Sequence, residues 1–201
     1  LQQDGDKFLV AQARYTWMAS KAAKFYATSN PPLAAQYKAS AAVGFAFLQK
    51  FWGGSTSGFS MMVDRNGANR RNNGKEGFTG YGNSFGMYAA AAYYAAAGDS
   101  NALTMATNTF TYLDTYFYDS TYGGYYITTS DKRKETNTNV HILEALVELY
   151  SDMPTNHSLR STVGSRLSQL ISLYHDRAIH CPASNDCFVY PMMNQNWTAS
   201  S

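Results

Sequence analysis

The chain has 201 residues, a formal net charge of +2, and a composition that is 45% hydrophobic and only 15% charged. This length suits one domain with a sizeable core, and so apolar a composition excludes a disordered chain. A balance this close to neutrality excludes the strongly basic class of nucleic-acid-binding proteins, and no apolar run approaches the ~20 residues that cross a bilayer.

Six helices are predicted in three consecutive pairs, and they cover residues 8–28, 33–51, 80–97, 101–117, 137–151 and 157–177. Pro31 and Pro32 suit the first turn of the second helix, where a missing N–H is harmless. Gly98 suits the residue after the third helix, where a left-handed turn ends many helices. Asp152 and Pro154 end the fifth helix.

A turn rich in glycine and aromatic residues follows the second, fourth and sixth helices. Residues 51–59 and 117–125 are similar at an offset of 66 residues, and a weaker third copy lies near Phe188. Short β-type runs occupy residues 59–63, 125–128 and 188–190. Two helices and a hairpin per repeat predict an all-α helical-repeat fold. The repeats could stack as a solenoid or close as an α/α toroid with the hairpins on one rim.

The short basic run Lys132-Arg133-Lys134 is the strongest candidate for an anion-binding patch. Asp131 and Glu135 flank it, so the local charge is nearly balanced. This pattern predicts a solvated loop, and we expect neither a nucleic-acid partner nor a membrane partner.

The fifth predicted helix carries two stripes at helical spacing. The apolar stripe consists of Val140, Leu143, Val147 and Tyr150. The polar stripe consists of Asn137, His141, Glu144 and Glu148. An asparagine, a histidine and two carboxylates suit a lined cavity better than a surface face; a satisfied core histidine beside solvated glutamates is the alternative. The repeat aligns His141 with Arg14 and Tyr81 on the first and third helices, which predicts that all three point at one central cavity.

The two cysteines, Cys181 and Cys187, bracket a loop short enough to close as a local disulfide. His180 is adjacent, but no further histidine or cysteine pair completes a zinc set, so no metal is expected. Glycosylation sequons stand at Asn156 and Asn196. Together these features favour a secreted or lumenal protein.

Four segments together resemble the N-acylglucosamine 2-epimerase and cellobiose 2-epimerase superfamily. Residues 12–20 are similar to its Arg-x-x-Trp-x-x-Ser signature, and residues 81–88 to its Tyr-x-x-x-Phe-x-x-Tyr helix. Residues 123–126 resemble its Gly-Gly-aromatic hairpin, and residues 137–145 its Asn-Thr-His-x-His-x-Leu-Glu-Ala segment. Asn139 stands where these epimerases often carry a histidine.

The resemblance implies an (α/α)6 barrel, with residues 1–201 forming a single partial domain of about half the ring. The start of the chain, Asp4 to Lys7, looks like the hairpin after the family's first helix. The family's Gly-His-Asp-x-Glu segment, with its further histidines, is expected beyond this sequence. We therefore expect this chain to be inactive and not to form a stable monomer without the remainder of the barrel or a partner chain. A cytoplasmic location, as in many family members, is the alternative to secretion.

The resemblance also implies inversion at C2 of a reducing mono- or disaccharide through an enediolate, or aldose–ketose isomerisation, with no cofactor. His141 would act as acid or base, Arg14 would stabilise the enediolate, and Tyr81 would donate to the sugar. The substrate-binding residues would be Asn137, Glu144 and Trp17. One alternative is a catalytically inactive extracellular glycan-binding or structural module, and another is an (α/α)6 glycoside hydrolase or lyase, which needs paired carboxylates.

Overall fold

The computed structural model describes residues 5–71, 79–183 and 186–200. In these ranges the helices are α1 (Leu9–Tyr26), α2 (Pro31–Leu48), α3 (Gly80–Ala97), α4 (Ser100–Tyr116), α5 (Thr136–Asp152) and α6 (Arg160–Leu173). The strands are β1 (Lys7–Phe8), β2 (Met62–Val63), β3 (Lys134–Glu135), β4 (Ile179–Ala183), β5 (Asp186–Val189) and β6 (Met192–Met193). No helix within the described ranges is long and apolar enough to cross a membrane. Asp4, with which the hairpin expected at the start of the chain begins, lies outside the described ranges.

Local capping explains where three of the helices begin. The side chain of Asn30 accepts a hydrogen bond from the Leu33 N–H at the start of α2, which the predicted prolines open. Thr79 caps α3 in the same way, and Asp99 caps α4. These bonds satisfy N–H groups that have no partner inside the helix. Gly98 ends α3 in the left-handed region, as predicted, with φ 73°.

The six described helices form three antiparallel pairs, and the first helix of each pair, α1, α3 or α5, is an inner helix. α3 packs against α1 on one side and α5 on the other, and each inner helix also packs against the helix that follows it. The prediction of an all-α toroid fold that covers about half of a ring is confirmed. α3 is the most enclosed inner helix, and Ala89 to Ala92 in its middle are fully buried.

The burial of α5 differs from what its apolar stripe suggests. Its fully buried apolar side chains are Ile142, Ala145, Leu146 and Leu149. Val147, from the predicted stripe, is 45% exposed. The reason is that α5 carries apolar residues on two faces, and only the face toward α3 and α6 is enclosed by the described residues. Large exposed apolar side chains also follow the α1–α2 side, with Phe25 76% and Val43 70% exposed.

The first two predicted glycine–aromatic hairpins, at residues 51–59 and 117–125, are structurally equivalent. The Gly53 N–H donates to the Gly58 carbonyl (2.8 Å), and 66 residues later the Asp119 N–H donates to the Gly124 carbonyl (2.9 Å). The β-type runs are shorter than predicted, because residues 125–128 contribute only an isolated bridge at Tyr125. The third hairpin is the longest and is formed by the antiparallel strands β4 and β5.

Two buried asparagines join these hairpins to the inner helices. Asn83 Oδ1 accepts from the Phe59 N–H (2.8 Å), and Asn139 Oδ1 accepts from the Tyr125 N–H (2.8 Å). Each asparagine is the fourth residue of its helix, and neither is exposed. We call this pair the amide clamps. Asn139 therefore has a structural role.

Within the basic run, the prediction of a solvated loop is wrong for one side chain. Lys134 is fully buried, and its Nζ donates to Asp119 Oδ2 at 2.9 Å. Burial acts to raise the pKa of Asp119, but the Lys134 ammonium and two backbone N–H groups reverse this and hold it below its ordinary value. Lys134 precedes α5, so the pair fixes the second hairpin to the start of that helix. The predicted solvated loop holds for Lys132 and Arg133, which are exposed.

We predict that Asn139→Ala lowers the free energy of unfolding by about 1–3 kcal/mol, because the buried Tyr125 N–H loses its acceptor. Guanidinium unfolding followed by circular dichroism measures this. Asn101→Ala, at an exposed position of α4, is the matched control and should change stability by less than ~0.5 kcal/mol. Equal losses in both variants would contradict a clamping role.

Candidate active site

Counting from the start of each inner helix identifies the equivalent positions. Leu9, Gly80 and Thr136 open α1, α3 and α5. The sixth residues of these helices are Arg14, Phe85 and His141. The predicted alignment of Tyr81 with Arg14 and His141 is therefore one helical turn too early. The alignment is wrong because the segments between the hairpins and the inner helices differ in length. Equal spacing of the hairpins along the chain therefore does not give equal spacing of the helix starts.

These three side chains form a continuous stack across the inner helices. The Arg14 guanidinium carbon lies 5.0 Å from the centre of the Phe85 ring. The imidazole of His141 also contacts Phe85, with ring centres 4.7 Å apart and planes tilted by 46°. Phe85 is only 4% exposed, whereas Arg14 is exposed and His141 is partly exposed. A buried ring thus contacts two polar groups that reach solvent.

Tyr81 joins the stack from the side. Its ring meets that of Phe85 edge-on at 5.0 Å and that of His141 at 5.3 Å. The predicted association of Tyr81 with His141 is therefore observed, although the two positions are not equivalent in the repeat. A narrow crevice lies beside the stack, too tight in this structure to admit a water molecule. Its lining residues are Ser84, Phe85, Tyr88, His141 and Glu144.

Glu144 orients the imidazole of His141. Its Oε2 lies 2.7 Å from His141 Nδ1, three residues earlier on the same helix face. A carboxylate can only accept a hydrogen bond, so with Glu144 ionised Nδ1 is the donor. In the neutral imidazole Nε2 then keeps a free lone pair. This arrangement suits a proton acceptor.

Trp17 and Tyr88 form the next layer, one turn farther along the inner helices. Their rings stack with centres 5.2 Å apart and planes 17° apart. Trp17 Nε1 donates to Glu148 Oε2 at 3.2 Å. Tyr88 covers one face of the indole, and Lys21 Nζ also lies over the ring, 5.9 Å from its centre. Burial raises the pKa of Tyr88 to about 12, so its hydroxyl keeps its proton at neutral pH.

Ion pairs between α1 and α5 lie about one turn beyond this layer, toward the carboxyl-terminal ends of both helices. Lys21 pairs with Glu148, and Lys24 Nζ pairs with Asp152 Oδ1 at 2.9 Å. Burial and contact with Asp152 raise the pKa of Glu148, against the opposing effect of Lys21. The buried Oδ2 of Asp152 has no donor in the structure, and a proton on Glu148 would supply one. We call these four residues the ionic floor.

The other predicted site residues lie apart from the stack. Asn137 is exposed in the first turn of α5, four residues before His141 and hence on the same face. Cys181 and Cys187 form the predicted disulfide, with their Cα atoms 4.1 Å apart. Asn156 and Asn196 of the sequons are both exposed. No group of three or more histidine, cysteine, aspartate or glutamate side chains that could hold a metal occurs among the described residues.

Phe85 and Tyr88 are the site residues that the sequence reasoning did not assign. Apolar and aromatic residues in an alanine-rich helix are typical of a packed core, and both fit that interpretation. The helix start signal at Thr79 could have identified Phe85, since it fixes Phe85 as the sixth helical residue.

Comparison with known proteins agrees with the geometry. A family model described as N-acylglucosamine 2-epimerase (GlcNAc 2-epimerase) matches residues 1–199. The structure of cellobiose 2-epimerase from Spirochaeta thermophila DSM 6192 is 28% identical, with a TM-score of 0.76 over 99% of this chain and 49% of that chain.

Two further structures show the same fold. Cellobiose 2-epimerase from Bacillus thermoamylovorans B4167 is 21% identical, with a TM-score of 0.80 over 98% of this chain and 51% of that chain. A D-mannose isomerase is 20% identical, with a TM-score of 0.70 over 98% of this chain and 47% of that chain. The chain thus spans about half the length of these solved structures.

The Phe85→Leu variant tests the stack. Removing the ring should shift the His141 ring-proton resonances toward their values in an unstructured peptide, because they lose the ring current of an aromatic neighbour. We also expect stability to fall by about 1–3 kcal/mol, as is common for a buried core change. Phe25→Leu, at a side chain that is 76% exposed, should leave the His141 resonances unchanged. Unshifted resonances in Phe85→Leu would contradict the stack.

Proposed function

The chain belongs to the N-acylglucosamine 2-epimerase family, and from this premise we propose that its protein is a 2-epimerase or aldose–ketose isomerase of a reducing sugar. Its fold is of the sugar 2-epimerase and isomerase type. The observation that carries the proposal is the stack of Arg14, Phe85 and His141 at equivalent positions of the inner helices.

The proposed reaction begins at C2 of the open-chain sugar. The C1 aldehyde acidifies the C2 proton, a base removes it, and an enediolate forms. Return of the proton to the opposite face of C2 completes epimerisation, whereas its delivery to C1 completes isomerisation. Both routes need a base with a free lone pair and a fixed positive group near O1 and O2.

Arg14 and His141 are suited to these two tasks. The guanidinium of Arg14 keeps its charge at all physiological pH values, and the Phe85 ring restricts where it can lie. His141 has Nε2 free when Glu144 holds Nδ1–H. Arg14 would stabilise the enediolate, and His141 would carry a proton to or from the sugar.

Three further residues would hold the substrate. Tyr81 would donate to a sugar hydroxyl from its position beside His141, and Asn137 would bind the sugar at the exposed end of α5. Trp17 would contact the sugar through the part of its indole that Tyr88 and Lys21 leave uncovered. Glu144 would act through His141 rather than on the sugar directly. The remainder of the barrel, or a partner chain, would supply the second acid–base group.

One argument for the alternative, an inactive glycan-binding or structural module, does not hold. It drew on the absence of a family histidine at Asn139. That side chain is fully buried and holds the backbone of Tyr125. Its identity therefore reflects hairpin packing and does not by itself favour an inactive module.

A glycoside hydrolase or lyase is favoured less than an epimerase by the observed carboxylates. Glu148 and Asp152 lie together on α5, but Lys21 and Lys24 pair with them in the ionic floor. Hydrolysis needs two carboxyl groups that flank a bond with space for the sugar or for water. A pair in direct contact leaves no such space.

We further propose that the protein is secreted or lumenal. The Cys181–Cys187 disulfide and the exposed sequons at Asn156 and Asn196 support this. Intact mass of the protein from its natural host, before and after N-glycosidase and reduction, tests it. We expect loss of glycan mass and release of two thiols; an unglycosylated protein with free thiols would indicate a cytoplasmic location instead.

Solvent exchange tests the catalytic proposal. Full-length protein incubated with glucose, mannose or cellobiose in heavy water should incorporate deuterium at C2, as seen by loss of the C2 proton signal in NMR spectra. No exchange with any reducing sugar would exclude both the epimerase and the isomerase.

Paired variants then assign the roles. His141→Gln and Arg14→Lys should each lower kcat by about 10²-fold or more, since each removes a group that acts on the transition state. His175→Gln and Arg177→Lys are matched controls at exposed positions after α6, and both should keep the original rate. Loss of activity in the controls, or its retention in the site variants, would contradict the assignment.

A further inference from the structure

The third hairpin presents a group of three rings on one face. His180 and Phe188 are cross-strand partners, with ring centres 5.2 Å apart. Tyr190, two residues beyond Phe188 and so on the same face, lies 5.2 Å from Phe188 and 6.0 Å from His180. We call these three residues the aromatic face. Cys181 and Cys187 alternate with them along the strands and close the disulfide.

The aromatic face is open to solvent. His180 is exposed, Phe188 is 41% exposed, and Tyr190 is half-buried. Because the three rings are contiguous, they form an aromatic surface patch, and such patches often mark binding sites. None of the three side chains is a carboxylate, a lysine or an arginine, so the surface suits an uncharged ligand.

The base of this hairpin is tied to the helix that carries His141. Thr136, the first residue of α5, donates through Oγ1 to the Tyr190 carbonyl (2.5 Å) and through its N–H to the Pro191 carbonyl (3.1 Å). His141 lies five residues farther along α5, which corresponds to roughly 7.5 Å of helix rise. The base of the aromatic face, at Tyr190, is therefore bonded to the amino-terminal end of α5, the half of that helix that carries His141.

We propose that the aromatic face binds the outer sugar units of an oligosaccharide whose reducing end occupies the stack. The C–H face of a pyranose ring is apolar and packs on an aromatic ring, while its hydroxyl groups remain in water. The disulfide limits the conformations of the hairpin, so less order is lost on binding. The inference rests on the proposed function for the class of ligand, and it extends that function from single sugars to chains.

Binding of sugars of increasing length tests this. Isothermal titration of the full-length protein with glucose, cellobiose and cellotriose gives a Kd for each. In Phe188→Ala the Kd for cellotriose should rise about tenfold, as expected when a buried aromatic contact is lost, while the Kd for glucose stays unchanged. Tyr190→Ala should act in the same direction. Ile179→Ala, an exposed apolar residue that alternates with the aromatic face on β4, is the matched control and should leave every Kd unchanged.

Three outcomes would overturn the inference. The first is an unchanged Kd for cellotriose in Phe188→Ala, and the second is an equal rise for glucose and cellotriose. The third is a change in oligomeric state or a lower Tm in Phe188→Ala without length-dependent binding, which would identify the aromatic face as a packing surface.

The proposed function and this inference can fail separately. If no sugar exchanges deuterium at C2 but cellotriose binding still depends on Phe188, only the catalytic proposal fails. If exchange occurs with cellobiose but cellotriose binding ignores Phe188, only the aromatic face is refuted.

Discussion

The amide clamps fix where α3 and α5 begin relative to the hairpins that precede them, and the positions of Phe85 and His141 follow from them. Asn83 and Asn139 each hold a backbone N–H of a hairpin that would otherwise be buried without a partner. A glycine precedes each clamped residue, and a Cβ on Gly58 would lie only 2.5 Å from Asn83 Oδ1. Hairpin and helix are thus in close contact, and the sixth residues of α3 and α5, Phe85 and His141, are placed in the same layer of the ring.

The layers along the inner helices have different physical characters. The layer at the sixth residue combines a buried ring with two groups that reach solvent, which is the combination a reaction centre needs. The layer of Trp17 and Tyr88 is stacked and partly buried. Below it the ionic floor joins α1 directly to α5. Because polar groups reach solvent at the hairpin end and pair with one another at the other end, the described half-ring favours entry of a ligand from the rim.

Periodicity and turn chemistry predicted most of the fold. The six helices, their pairing and the equivalence of two hairpins were all visible as repeated patterns of glycine, aromatic and apolar residues. Long-range partners were not visible. In the sequence, Lys134 belongs to a run of charged residues that predicts a solvated loop, yet its side chain is buried against Asp119. The prediction was wrong because the charges near Lys134 in the chain carry no information about a partner 15 residues away. Phe85 was missed for a related reason: a buried ring between two polar groups has the same local sequence as a buried ring in a core.

The central claim is that Arg14, Phe85 and His141 form one sugar site. The most direct test is a crystal structure of the full-length protein with cellobiitol, whose open-chain end resembles the acyclic substrate. The account predicts the O1–C2 end of this ligand beside the Phe85 ring, with hydrogen bonds to the Arg14 guanidinium and to His141 Nε2. Ligand bound only elsewhere, for example in the groove of about 730 Å³ lined by Tyr150 and Arg160 between α5 and α6, would contradict it.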